Sequence, residues 1–154
     1  MEKEKISQAI QILNQQNIDC WMIIEKESEI LSDPIMTYIL NTGVVWLSFF
    51  IFFKTGEKYA ILGNLDKEKF DRLNIFDTVY SYKNSPREDL IKILEEHNPH
   101  EIALNYSTDS PTADGLTYGK FLELKKLLNG TGFLERIIPA EKIISTLRGK
   151  KSAE

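Results

Sequence analysis

The chain is short of the residues that carry most enzyme chemistry. It has one cysteine, Cys20, so no disulfide can form within it, and that usage suits a reducing cytosol. A cytoplasmic location is the expectation. The only two histidines fall in the run His97-Asn98-Pro99-His100. A metal centre needs further ligands converging on them, whereas a helix-to-strand turn beside a proline reads as surface. With no other histidine, a Ser-His-Asp arrangement would have to pass through this pair, and no G-x-S-x-G elbow occurs. Gly-rich phosphate loops of either common spacing are missing too. Gly130-Thr131-Gly132 follows a helical stretch and reads as a helix stop.

An excess of one charge is also lacking. Lys and Arg number 19 against 23 Asp and Glu, a formal net charge of -4, with the signs interleaved. No basic face for a nucleic acid is predicted. The longest apolar run, Gly43 to Phe53, falls short of the ~20 residues that cross a bilayer as a helix. Met1-Glu2-Lys3-Glu4-Lys5 leads into no apolar segment, so it is not a signal peptide. Neither nucleic acid nor membrane is expected as a partner. Asn105-Tyr106-Ser107 and Asn129-Gly130-Thr131 match the glycosylation triplet by chance on this reading.

What remains is an ordinary globular composition: 154 residues, 42% hydrophobic and 27% charged. That length suits one domain able to bury about two-thirds of its unfolded surface. Ile6, Ala9, Ile10 and Leu13 mark one face of a first helix. Cys20 to Ile24 reads as a central strand, with Cys20 a small buried hydrophobe rather than a nucleophile. Ser32-Asp33-Pro34 starts a short helix, with Ser32 or Asp33 as its cap. The run from Gly43 to Phe53 is apolar on both faces and reads as a buried strand. It turns at Thr55-Gly56 and returns as Tyr59 to Leu62. A helix from Asp66 to Leu73, a strand from Thr78 to Tyr82, and a helix opened by a capping box at Ser85 to Glu88 follow. Next come a strand at Glu101 to Asn105, a helix from Leu116 to Leu128, a strand from Phe133 to Ile138, and a helix from Ala140. The alternation predicts an α/β fold, a three-layer α/β/α domain on a mixed sheet with a central hairpin.

The most site-like stretch is the polar loop after the Glu101 to Asn105 strand. Ligands in open α/β sheets bind beyond the carboxyl ends of strands, and this loop offers Ser107, Asp109, Pro111, Thr112, Asp114 and Gly115. The same residue types also build turns: Pro111 fixes the loop, and Asp114 can cap the helix beginning near Leu116.

Several landmarks in order resemble the N-terminal domain of the creatinase, prolidase and Xaa-Pro aminopeptidase family. Ile18-Asp19-Cys20-Trp21-Met22-Ile23 resembles its first strand. Tyr38-Ile39-Leu40-Asn41-Thr42-Gly43 stands where the family carries Tyr-Leu-Thr-Gly, and the hairpin at Thr55-Gly56-Glu57 sits where its second and third strands meet. Asn105-Tyr106-Ser107 with Ala113-Asp114-Gly115-Leu116-Thr117 is similar to a variant among bacterial Xaa-Pro peptidase-like members. Leu147-Arg148-Gly149-Lys150-Lys151-Ser152-Ala153-Glu154 resembles the segment that passes into the catalytic domain.

The resemblance implies a ribonuclease H-like N-terminal domain over residues 1–146, and the start of a connection to a missing C-terminal catalytic domain over 147–154. It implies a parent hydrolase acting on Xaa-Pro peptides through two divalent metal ions, manganese, cobalt or zinc. Those ions are held by two Asp, one His and two Glu, and no position here matches them. This chain alone is then expected to be non-catalytic. Its implied partners are its own catalytic domain, a second copy in a homodimer and, for the parent, proline-containing peptides. The implied work of the Ser107 to Gly115 loop is to gate substrate at a subunit interface, with exposed parts of the Trp46 to Phe53 aromatics as anchors. The alternative is a self-contained α/β module whose small ligand or protein partner sits at the Asp109 to Gly115 loop.

Overall fold

The computed structural model describes residues 2–150. Lys151-Ser152-Ala153-Glu154, the last part of the exit segment, lies outside the described residues.

Helix α1 (Glu2–Gln16) buries Ile6, Ala9, Ile12 and Leu13. Ile12 takes the full burial expected of Ile10, which is half-buried at the margin. Six strands follow among the described residues: β1 (Cys20–Glu25), β2 (Ser48–Phe53), β3 (Lys58–Gly63), β4 (Thr78–Tyr82), β5 (Ile102–Leu104) and β6 (Ile137–Pro139). They lie side by side in the order β4-β3-β2-β1-β5-β6. β2 is antiparallel to β1 and to β3, while β3–β4, β1–β5 and β5–β6 are parallel. Five strands therefore point one way and β2 alone runs against them. The β2–β3 hairpin closes through Gly56 at φ +108, where Gly56 N donates to Phe53 O at 2.9 Å. A side chain there would clash with its own backbone.

Strand alternation sorts the core into two layers. Trp21, Ile23, Phe50, Phe52, Ala60, Leu62 and Ala103 face α1, α2 (Met36–Ile39), α3 (Lys67–Leu73) and α6 (Glu141–Gly149). Cys20, Met22, Ile24, Phe49, Ile51, Phe53 and Ile102 face α4 (Arg87–His97) and α5 (Tyr118–Leu127). The three-layer α/β/α arrangement is what the alternation of elements predicts.

Several local expectations change. β2 begins at Ser48, not Gly43, because Val44 O and Val45 O instead accept from Ser28 N and Glu27 N. Phe133–Arg136 is a 3-10 turn and only Ile137–Pro139 pairs, since β5 offers just three partners. Pro86 occupies the cap of α4, and a single bond from Arg87 N to Ser85 Oγ stands where the capping box was expected. All of β2 is buried, so the exposed aromatic anchors expected from Phe49 to Phe53 are not there; Trp46 is half-buried. α6 runs without a break through residue 146. Its far end is gripped: Lys5 Nζ donates to Lys150 O at 3.2 Å, and the cations of Lys5 and Arg148 lie over the ring of Tyr38.

Candidate functional site

The loop after β5 lies beyond the carboxyl ends of β1 and β5 and is braced by its own side chains. Ser107 Oγ accepts from the amides of Asp109 (3.1 Å) and Ser110 (2.9 Å) and donates to Glu141 at the start of α6. Ser107 N donates to Asp114 Oδ1 at 3.1 Å. Pro111 opens a 3-10 turn, Pro111–Ala113, and the hydroxyls of Ser110 and Thr112 meet at 3.2 Å. Asp114 thus closes the loop on Ser107 instead of capping the next helix. Thr117 is that cap, accepting from Lys120 N. Pro111 and Thr112 stay exposed at the tip, as does Asp109, while Gly115 turns inward.

Beneath the loop is a buried polar chain that sequence reading did not assemble. Trp21 Nε1 donates to Asn105 Oδ1 at 2.7 Å, and Asn105 Nδ2 donates to Asp33 Oδ2 at 2.9 Å. Asp33 Oδ1 accepts from Ile35 N at 3.1 Å, but Ile35 itself stands at the N-cap of α2 without a side-chain cap bond, so neither Ser32 nor Asp33 caps that helix as expected. Asp33 N donates to Glu25 Oε1 at 2.9 Å, and Ser32 Oγ donates to Glu25 Oε2 at 2.7 Å. Lys120 reaches round from the opposite layer. Its ammonium donates to Ile24 O and Gly115 O, each at 3.0 Å, and stands 3.6 Å from Glu25 Oε1.

Glu25, Asp33, Asn105 and Lys120 are all at most 6% exposed. A lone buried lysine would be costly, and here it donates to two backbone oxygens with the Glu25 carboxylate beside it as counter-charge. Burial pushes the Glu25 carboxyl above its ordinary range, against the Asp33 amide, the Ser32 hydroxyl and the Lys120 ammonium, which lower it. Asp33 is raised as well, again by burial first, with Asn105, Ile35 and Lys120 opposing and Asp114 adding. Gly115 is packed so closely that a Cβ would come 2.1 Å from Asp33 Cγ.

Two signals pointed to this chain. Glu25 ends an otherwise apolar strand, and Lys120 lies four residues before Leu124, on the inward face of its helix.

Tyr106 stands between two surface hollows. One, of about 690 Å³, has Ser107, Asp109, Glu141 and Lys142 on its wall. The other, of about 480 Å³, is lined by Leu116, Tyr118, Phe121, Leu134 and Ile137.

The histidines lie elsewhere. His97 is half-buried rather than simply surface, stacked on Phe53 at 3.9 Å and bonded through Nε2 to Tyr59 OH at 2.8 Å. His100 is exposed and its amide donates to Asp19. Among the described residues, no group of three or more His, Cys, Asp and Glu side chains is placed to hold a metal ion. No helix among them is long and apolar enough to cross a membrane.

No protein-family model matches the sequence. No curated protein matches it either. Solved structures do match in fold. The chain is 16% identical to an Xaa-Pro dipeptidase from Bacillus anthracis, with a TM-score of 0.67 over 99% of this chain and 37% of that one. It is 20% identical to the prolidase from Pyrococcus horikoshii, with a TM-score of 0.62 over 97% of this chain and 36% of that one. It is 15% identical to the creatinase/prolidase N-terminal domain of an X-Pro dipeptidase from Streptococcus pyogenes, with a TM-score of 0.64 over 92% and 97%. The chain therefore spans little more than a third of the two longer proteins and nearly all of the isolated domain. At these identities the shared property is the fold, that of creatinase/prolidase N-terminal domains.

Proposed function

We propose, from a fold shared along almost the whole chain with such domains, that this protein is the non-catalytic N-terminal accessory domain of a metal-dependent Xaa-Pro dipeptidase or aminopeptidase. The observation that carries the reading is the coverage. The match takes in 97–99% of this chain and only 36–37% of the two longer proteins, leaving their remainder for other work. In this reading the two divalent metal ions, manganese, cobalt or zinc, are held by the catalytic half. The accessory half packs on it, assists a cytoplasmic homodimer and narrows the approach of proline-containing peptides. Nucleic acid and membrane have no part.

The loop from Ser107 to Gly115 suits such a wall. It is stiffened by Ser107, Asp114 and Pro111 and exposes Asp109, Pro111 and Thr112 at its tip. A wall that excludes by clash needs rigidity rather than a reacting pair. Apolar anchors for packing are offered by Ile30, Leu31, Leu65, Tyr118 and Leu122, which are exposed, rather than by the buried β2.

The test is made in the parent enzyme by shortening the loop between Ser107 and Asp114 and comparing kcat/KM for a dipeptide and a tripeptide. Tripeptide turnover should rise relative to dipeptide turnover. An equal fall in both would mean that the loop only supports the fold.

A small-ligand module is the second reading, favoured by the apolar hollow beside Tyr106 and Phe121. Saturable binding of an aromatic probe there, lost in Phe121→Asp while the fold persists, would support it over the first.

A further inference from the structure

The cluster beneath the loop holds two carboxylates and one ammonium, so with every group ionised it carries one uncompensated negative charge away from water. Charge imbalance of this kind is relieved by binding a proton. The hydrogen bonds decide which oxygen can take it. Asp33 receives Ile35 N–H on one oxygen and the Asn105 amide on the other. Neither donor can reverse, because the first is backbone and the second is oriented by the Trp21 indole on Asn105 Oδ1. Glu25 Oε1 is likewise fixed by Asp33 N–H and faces Lys120. Glu25 Oε2 differs. Its partner is the Ser32 hydroxyl, 2.7 Å away, which also lies 3.4 Å from Asp33 O. That hydroxyl can turn its hydrogen to the carbonyl and accept from a protonated Glu25.

We propose that Glu25 Oε2 is a buried proton-binding site that sets how firmly the sheet grips the loop from Ser107 to Gly115. Protonation leaves Lys120 and Asp33 as a charge-balanced pair. Those two hold both ends of the loop, Lys120 through Gly115 O and Asp33 through Asn105 Nδ2. Asp114 is the other charged group that faces Asp33 from the loop itself. Loss of the proton as pH rises returns the buried charge and loosens the grip; acidification tightens it. The loop is thus a pH-responsive element, and this rests on the geometry of the cluster whether or not the loop gates a peptidase.

Carboxyl-detected NMR on the 154-residue chain can follow Glu25 Cδ from pH 3 to 9. Amide-exchange protection of Leu116, whose N–H donates to Asn105 O at 2.8 Å, is measured in parallel. Glu25 should titrate above the ordinary carboxylate range. Across the same step Leu116 protection should fall about tenfold for each pH unit by which that titration is displaced. Glu25→Gln, whose amide can donate to Ser32, should keep protection high and flat. The proposal is overturned if Glu25 titrates in the ordinary range, if Asp33 takes the proton instead, or if Glu25→Gln keeps the wild-type pH dependence. Should that variant not fold, the wild-type titration still decides. Peptidase assays of the parent bear on the accessory-domain reading and leave this result untouched.

Discussion

Trp21 and Asn105 stand 84 positions apart, yet the indole Nε1 donates to the side-chain oxygen of Asn105 at 2.7 Å inside the core. The bond aims the other end of the Asn105 amide at Asp33 and so orients the polar chain beneath the loop.

Trp21→Phe should therefore cost more than the lost bulk of the ring. It leaves Asn105 Oδ1 buried without a donor, worth about 1–3 kcal/mol, and opens space in the layer containing Phe52. Urea unfolding should show a lower midpoint with little change in slope. Trp21→Phe/Asn105→Leu should fall further, because Asp33 Oδ2 then loses the Asn105 amide as well. An unchanged midpoint in Trp21→Phe would mean that the bond contributes no net stability.

Two glycines near each other in sequence should respond in opposite ways. Gly115→Ala would force a methyl into the Asp33 carboxylate and should destabilise by about 1–3 kcal/mol, as overpacking does. Gly119, inside α5 with nothing within 4 Å of its would-be Cβ, should gain about 0.5 kcal/mol as alanine. Thermal midpoints of the two variants moving in the same direction would contradict this packing.

Asp19 provides a pH signature opposite to that of Glu25 and Asp33. Burial raises its pKa, but the hydrogen bonds from Lys54 and the His100 amide outweigh burial and hold it below the ordinary value. Sign follows from linkage: a depressed carboxyl contributes stability above its unfolded pKa, and that share is lost as pH falls through the folded value. Glu25 and Asp33 are raised, so their share is full at low pH and is lost as pH rises. Asp19→Asn should lower urea midpoints near pH 7 and flatten their decline below about pH 4. An unchanged acid limb would remove Asp19 from the account.

Cys20 should be inert in the native protein. The thiol is completely buried, and burial, with Asp19 adding, pushes its titration up. A thiol reagent at pH 8 should label it only in denaturant, because the thiolate is the reactive form. Rapid native labelling would mean that the β1 end of the sheet opens.

The layers were legible because apolar runs and turn residues announce themselves locally. Cys20 to Ile24 and the Gly56 hairpin were both read from neighbours in the chain. The misreadings were local too, and were settled by distant partners. Phe133 looks like strand, but it turns into the core cluster that also holds Leu90 and Leu124, leaving only Ile137–Pro139 to pair. Asp114 has the chemistry of a cap, yet Ser107 N is its partner, and Thr117 is placed to cap α5 instead. The loop residues were found as a group, but the lysine and glutamate beneath it were not. Nothing in a one-dimensional pattern says that Lys120, on the helix packed against one face, reaches Glu25, whose strand also lines the other.

The single antiparallel strand has a consequence in time. β1, β2 and β3 are neighbours both in sequence and in the sheet, so their pairing closes shorter loops than that of β5 with β1 and costs less chain entropy. β5 joins β1 only after the chain has passed through β4 and α4, and β6 waits on β5. Formation of long-range pairings limits folding rates. The polar chain linking Trp21, Asn105, Asp33, Glu25 and Lys120 needs exactly those late pairings. On refolding, the meander should gain amide protection first and the loop around Gly115 last, so this end of the molecule matures after the sheet that carries it.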